Sequence, residues 1–131
     1  MTAKEKLIVE KIRAKTLDAL EVVGAAVEGW ARDNVKVITG NLRGSITHAT
    51  TRKQSRVKEP ASQEDAVPKP SDKFTVRVGS GVAYAARIEF GFQGTDSLGR
   101  SYNQAAQAYL RPAVKDNETR ITQLFKEKLK F

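Results

Sequence analysis

The sequence predicts an α+β fold: a small antiparallel sheet with a long N-terminal helix, a short middle helix and a long C-terminal helix packed on one face. Three observations predict it. Residues 4–36 carry apolar side chains at three- and four-residue steps. Phe74, Val76 and Val78 alternate with Thr75, Arg77 and Gly79, the period of a strand. Residues 108–130 return to the helical period. The chain has 131 residues, a single-domain length, so 1–131 is read as one domain. At this size folding removes roughly two thirds of the unfolded chain's surface from water, enough for a core without covalent staples.

The first helix presents Leu7, Ile8, Ile12, Leu17, Leu20, Val23, Val27, Trp30 and Ala31 as its apolar stripe. Thr2, with Glu5 three residues on, has the spacing of a capping box. Glu28 and Arg32 are an i,i+4 pair of opposite charge. Gly24 and Gly29 weaken a helix interior by about 1 kcal/mol each relative to alanine, which points to a close packing partner or a bend. Asn34 and Gly40 offer the exit. The corner that follows reads TGNLRGSI, residues 39–46. There Gly40 is expected to end the helix, with a positive φ as its use, and Leu42 to tuck toward the core. A strand is expected over Ser45–Lys53, with Ile46, His48 and Thr50 on one face.

Residues 54–72 hold Pro60, Pro68 and Pro70 and almost no apolar content, so they are expected to form a mobile polar loop between two antiparallel strands. After the strand at 74–79, Tyr84–Phe90 reads as a short helical turn, with Gly91 placed to end it in a left-handed conformation. Residues 91–104 form a second polar, glycine-rich loop whose flanks can pair as a hairpin. The closing helix is expected over Ala108–Lys130, with Pro112 in its first turn and Leu110, Ala113, Val114, Ile121, Leu124, Phe125 and Leu129 as its stripe.

Composition narrows the chemistry. Cysteine is absent, which excludes disulfides and thiolate metal sites, and the single histidine, His48, excludes a multi-histidine metal centre within one chain. No apolar run approaches the roughly 18–20 residues of a membrane span, and the N-terminus has no secretory h-region. The expectation is a soluble, non-exported chain. The formal net charge of +8 suits anionic partners: nucleic acid, acidic lipid or an acidic protein surface.

Each candidate motif has a structural reading that outweighs the chemical one. Gly79-Ser80-Gly81 lacks the GKS/T of a phosphate loop and the third glycine of a dinucleotide loop, since position 84 is tyrosine. His48 has no nucleophile elbow to serve and reads as a strand-face residue. Glu89, between Ile88 and Phe90, should be buried and therefore paired, with Arg87, Arg111 or backbone N–H groups as candidate partners. Arg52, Lys53, Arg56 and Lys58 cluster where the long loop begins and could touch DNA phosphates or a partner, yet no aromatic residue is interleaved and Glu59, Glu64, Asp65 and Asp72 follow. Trp30 reads as core before it reads as an anchor for a neighbour. No catalytic, cofactor-binding or metal-ligating set emerges, and the chain reads as a non-enzyme.

Three blocks in order carry a resemblance. Thr39, Gly40, Leu42, Ser45 and Ile46 fit a T-G-x-L-x-x-S-I corner. Tyr84, Ala85, Glu89 and Gly91 fit a Y-A-x-x-x-E-x-G turn, and Tyr109, Leu110, Arg111, Pro112 and Ala113 fit an aromatic-L-R-P-A helix start. Together they resemble the small neck, or tail-completion, family of long-tailed double-stranded DNA phages and prophages, the gp10-like morphogenesis proteins. Ala108 stands where that family often has proline, and the stretch from Gly91 to Tyr109 is long. The resemblance implies a structural part in the head–tail junction, made in the host cytoplasm and carried in the neck or tail of the virion. It implies other connector or tail proteins as partners, a homo-oligomeric ring built by head-to-tail subunit docking, and neither cofactor, membrane nor small-molecule substrate. The basic charge would then face DNA in the lumen or an acidic ring neighbour. The alternative is a small basic nucleic-acid-binding protein.

Overall fold

The computed structural model describes residues 1–36, 40–95 and 97–130. Helix α1 runs Ala3–Asn34, α2 Gly40–Ser45, α3 Ala85–Phe90, α4 Leu110–Lys115 and α5 Glu118–Leu129. Strands are β1 Thr47–Ala49, β2 Arg77–Gly79, β3 Phe92–Thr95 and β4 Ser101–Gln104. The α+β class is as expected, but the strands form two antiparallel pairs, β1 with β2 and β3 with β4, where one sheet was expected.

Helix α1 begins as its sequence dictates. Thr2 Oγ1 accepts from the Glu5 N–H at 3.1 Å and Glu5 Oε2 accepts from the Thr2 N–H at 3.1 Å, closing the capping box. Antiparallel to α1, α4 and α5 pack along its second half, and β1 and β2 lie against it as well. The core gathers where these elements meet: Val23, Val27, Ala31 and Val35 from α1 and its exit, Leu42, Ile46, Ala85, Tyr109 and Ala113 from the rest, with Trp30, Ile121, Leu124 and Phe125 packed against them. Trp30 is thus a core-flanking side chain.

The first half of α1 departs from its pattern. Leu7, Ile8 and Ile12 are 59%, 51% and 48% exposed, although they continue the stripe that Val23 and Val27 bury. The cause is length: Lys15 Nζ donates to the Lys130 carbonyl at 2.6 Å, so α5 ends level with Lys15 and the earlier turns of α1 extend past it.

The corner is rearranged as well. Helix α1 stops at Asn34, and Gly40 opens a further short helix in place of ending the first. Among the described residues only Gly91 and Gly99 have positive φ, so Gly40 does not use glycine's left-handed freedom. The glycine that the corner requires is Gly44. A Cβ there would collide with the Lys58 carbonyl oxygen, because the Lys58 N–H donates to the Gly44 carbonyl at 2.8 Å and draws the two backbones together. In α1 the two glycines separate: a Cβ on Gly24 would meet Val76 Cγ2 at 2.7 Å and His48 Cδ2 at 3.0 Å, whereas one on Gly29 meets nothing within 4 Å.

Both strands of the first sheet are shorter than their sequence patterns. The Thr50 N–H donates to the Lys53 carbonyl at 2.8 Å, turning the chain at once after β1, so Phe74–Val76 have no strand to pair with and Phe74 is exposed. All three residues of β1 are buried. The segment 54–72 supplies part of their cover: the Val67 N–H donates to Thr47 Oγ1 at 2.8 Å, Gln54 Nε2 donates to the Val67 carbonyl at 2.9 Å, and Ala66 and Val67 are buried. The hairpin expected in 91–104 forms as β3–β4. The closing helix is broken in two at Asp116–Asn117, where Asn117 Nδ2 donates back to the Ala113 carbonyl at 2.9 Å; Asp and Asn compete with helical backbone bonds in this way.

The glycine geometry sets opposite expectations for three alanine variants, read by thermal unfolding. Gly44→Ala should lose about 1–3 kcal/mol by overpacking, and Gly24→Ala should lose stability in the same range. Gly29→Ala should gain about 0.5–1 kcal/mol, since it adds helix propensity and meets open space. A Gly44→Ala melting temperature equal to that of the unsubstituted chain would remove the close approach to Lys58.

Candidate functional site

The motif residues converge on one junction between the end of α1, α2, α3 and the start of α4. The segment after α3 reverses direction at Gly91, whose φ is +77°, and a Cβ there would stand 2.7 Å from the Gln104 carbonyl oxygen. Positive φ and close backbone approach both demand glycine. That reversal leaves Glu89, on the last turn of α3, facing the first turn of α4.

Glu89 is 2% exposed and its carboxylate is fully engaged. Oε2 accepts from the Tyr109 N–H at 2.7 Å and the Leu110 N–H at 3.0 Å; Oε1 accepts from the Arg111 N–H at 2.9 Å and Arg111 Nε at 3.3 Å. Arg111 also donates from Nη2 to the Glu89 carbonyl at 2.8 Å. These are the N–H groups that a helix start leaves without an intrahelical partner, and a carboxylate is the acceptor that also suits the positive end of the helix dipole. Burial by itself would raise the Glu89 carboxyl; the N–H bonds from Tyr109, Arg111 and Leu110 and the Arg111 side chain together outweigh it and hold the group below the usual carboxylate range. The second and third sequence blocks are therefore the two halves of one contact. Of the expected partners, Arg111 and the backbone N–H groups both bond Glu89, while Arg87 lies over the Phe92 ring.

Tyr109 is buried beside it. Its hydroxyl donates to the Ala85 carbonyl at 3.4 Å, and its own carbonyl accepts from Asn34 Nδ2 at 3.2 Å, tying α4 to the end of α1. Burial, and then the Glu89 charge, push the Tyr109 hydroxyl up to about 12.

The first block joins through serine. Ser45 Oγ donates to the Leu42 carbonyl at 2.7 Å and lies 2.6 Å from Ser80 Oγ. A hydroxyl has one proton, so Ser80 is the donor in that second bond; Ser80 Oγ also accepts the Val82 N–H at 3.0 Å. Leu42 and Ile46 are core residues, and the Ile46 carbonyl accepts from Arg32 Nη2 at 2.7 Å. Thr39 lies outside the described residues.

Sequence reasoning missed Arg32, Asn34 and Ser80. The Glu28–Arg32 ion pair was expected from its i,i+4 spacing, but not its place against β1, where little of either side chain is exposed. Arg32 Nη1 is 3.1 Å from Glu28 Oε2, and Arg32 Nε donates to the Arg43 carbonyl at 3.3 Å. Glu28 Oε1 also accepts from Ser55 Oγ at 2.6 Å and lies 3.0 Å from His48 Nδ1. Burial would raise the Glu28 carboxyl, but bonds from His48 and Ser55 and the Arg32 charge hold it below the usual range. An ionised carboxylate only accepts, so His48 Nδ1 carries a proton. His48 thus fastens β1 to α1.

The basic cluster divides. Arg52 forks onto α1, with Nη2 2.6 Å from Asp18 Oδ1 and 2.6 Å from Glu21 Oε2, and Nε 3.1 Å from Glu21 Oε1. Lys53, Arg56 and Lys58 are exposed. No group of three or more metal-ligating side chains occurs among the described residues, and no described helix is long and apolar enough to cross a membrane. Chemically the junction is a lock: Glu89 has no oxygen left over to take a substrate proton.

The lock has a pH signature. A carboxyl held below its unfolded value near 4.5 contributes stability that is fully present above that pH and lost as pH falls through the folded value. Glu21 and Glu28 act in the same direction. Unfolding free energy should therefore fall on acidification below about pH 4.5, and Glu89→Gln should flatten part of that slope. At neutral pH Glu89→Ala should cost about 3 kcal/mol or more, because buried N–H donors and Arg111 lose their charged acceptor. Chemical denaturation at pH 7 and pH 3.5 measures both.

A sequence model of the family described as "Bacteriophage HK97-gp10, putative tail-component" matches residues 1–91. The match takes in the first two blocks and ends at Gly91, before the α4 start that Glu89 caps. No match was found among curated proteins or among solved structures.

Proposed function

The chain belongs to the bacteriophage HK97-gp10-like tail-component family, and from that premise we propose that it is a non-enzymatic head–tail junction protein, a neck or tail-completion component that assembles as a homo-oligomeric ring by subunit docking. The observation that carries this reading is the use of the motif. Ser45 bonds the Leu42 carbonyl, and the Glu89 and Arg111 side chains bond each other's backbones, so that the residues most suited to chemistry maintain shape. A protein whose motif maintains shape acts through its surfaces. In the host cytoplasm such a subunit would join other connector or tail proteins and pass into the virion with them. Lys53, Arg56 and Lys58 remain available to an acidic neighbour or to DNA in the lumen, while Arg52 serves α1.

Removing the gene from its phage should leave filled heads and unjoined tails in electron micrographs of lysates; normal infectious particles would end the proposal. The nucleic-acid-binding alternative is separated by titrating the purified chain against duplex DNA. A junction subunit should bind weakly at physiological salt, whereas tight binding with a steep fall in log K against log salt would favour the alternative.

A further inference from the structure

We propose that the open edge of β2 takes up, as an added strand, an extended segment of another tail or connector protein in which apolar and acidic side chains alternate. The inference rests on the junction reading above only for where that partner is met. It is tested on the purified chain, so its failure leaves the junction reading to the lysate micrographs.

Backbone geometry opens the edge. His48 faces Val78 across the β1–β2 pair. The Ser55 N–H donates to the His48 carbonyl at 2.9 Å, and the His48 N–H donates to Ser55 Oγ at 2.9 Å. Both backbone groups of His48 therefore turn away from β2, and by the alternation of an antiparallel pair those of Val78 turn away from β1. Past the end of β1, residues 65–67 take over the same edge of the chain: Ser80 pairs with Ala66, and the Gly81 N–H donates to the Asp65 carbonyl at 2.6 Å. The backbone groups of Ser80 thus point the same way as those of Val78. Among the described residues nothing bonds the N–H or C=O of either on that side. Unpaired N–H and C=O groups along a strand are the template onto which a further strand adds.

The same residues line a groove. Val78, Gly79 and Ser80 form part of a cleft of about 360 Å³, with Ala86 and Phe90 of α3 and Leu110 of α4 among the residues across it. Gly79 keeps it open: a Cβ there would stand 3.8 Å from Leu110 Cδ1 and 3.9 Å from Val67 Cγ2, ordinary contact distances. An extended segment turns every second side chain to one face, so the cleft accepts its apolar ones. Charge selects the others. The charged residues of the lining are Glu89 and Arg111. Glu89 is buried and its oxygens are engaged, whereas the Arg111 side chain is 56% exposed and its Nη1 takes no part in the Glu89 bonds. Arg77, exposed at the start of β2, adds a positive charge with no side-chain partner among the described residues. The charged groups left to a visitor are thus arginines, and their complement is a carboxylate. At a formal net charge of +8, a second copy of this chain is a poorer source of such a segment than an acidic partner.

The probe is a capped peptide of about seven residues in which glutamate and valine alternate, titrated into the isotope-labelled chain and followed by NMR. It should bind with a Kd below about 1 mM. Hydrogen exchange at the Val78 and Ser80 amides should slow about tenfold or more, since those N–H groups gain acceptors. The same peptide with lysine in place of glutamate should bind about tenfold more weakly or worse, and Arg77→Glu should abolish that preference. Gly79→Val should remove binding by filling the cleft; Gly79→Ala, whose added methyl meets only ordinary contacts, should weaken it with an unchanged melting temperature and keeps the test alive if the valine variant unfolds. No binding up to about 1 mM would overturn the inference. So would binding that leaves the Val78 and Ser80 amides exchanging as before, or binding indifferent to both Gly79 variants. A Val78 amide that is slow in the concentrated chain without peptide and becomes fast on dilution would show that a second copy fills the edge, and would overturn the choice of occupant.

Discussion

One buried carboxylate holds the parts of this molecule in register. Glu89 gathers three consecutive N–H groups at the start of α4 and the Arg111 side chain. Helix α4 has six residues, too short to be stable by itself, so its direction depends on the charge that meets its first turn. From that anchor follow the placement of Tyr109 against Asn34 and Ala85, the burial of Ala113 against the core, and the course of α5 back along α1. Burying this charge costs desolvation, but its oxygens accept four N–H bonds that together outweigh that cost and hold the carboxyl below the usual range.

A second charged cluster does the corresponding work for the sheet. A three-residue β1 has too few ladder bonds to fix its own position. Arg32, Glu28, His48 and Ser55 hold it to α1, and Thr47 and Gln54 hold the 54–72 segment over it through Val67. The sheet is thus small because side-chain bonds to its flanks replace further strands. Polar residues that would be liabilities in an ordinary core are satisfied here, and no buried side-chain nitrogen or oxygen among the described residues lacks a partner.

Internal order of this kind leaves function to the outside of the molecule. Leu7, Ile8 and Ile12 on the first turns of α1, with Phe90 and Val114 near the start of α4, expose apolar surface beyond the core. Such surface on a small chain marks contact with another protein, as membership in a tail-component family would lead one to expect.

What the sequence determined by itself is what local chemistry determines. The capping box, the helix stripe from Val23 to Ala31, the helical turn before Gly91 and the hairpin after it are all written within a few residues of where they occur. So was the need of Glu89 for a partner, since a carboxylate flanked by Ile88 and Phe90 cannot be buried alone. Tertiary structure decided the rest. Whether Leu7, Ile8 and Ile12 are core depends on where α5 ends, and nothing in residues 7–12 carries that length. Whether Gly40 or Gly44 is the indispensable glycine depends on Lys58, fourteen residues beyond Gly44. The strand at 74–79 was shortened by the turn at Thr50, and the closing helix was broken where the Asn117 side chain bonds the Ala113 carbonyl. The i,i+4 spacing of Glu28 and Arg32 is the same in water and in a core, so it announces the pair and not its burial; the packing of β1 over it makes the pair internal.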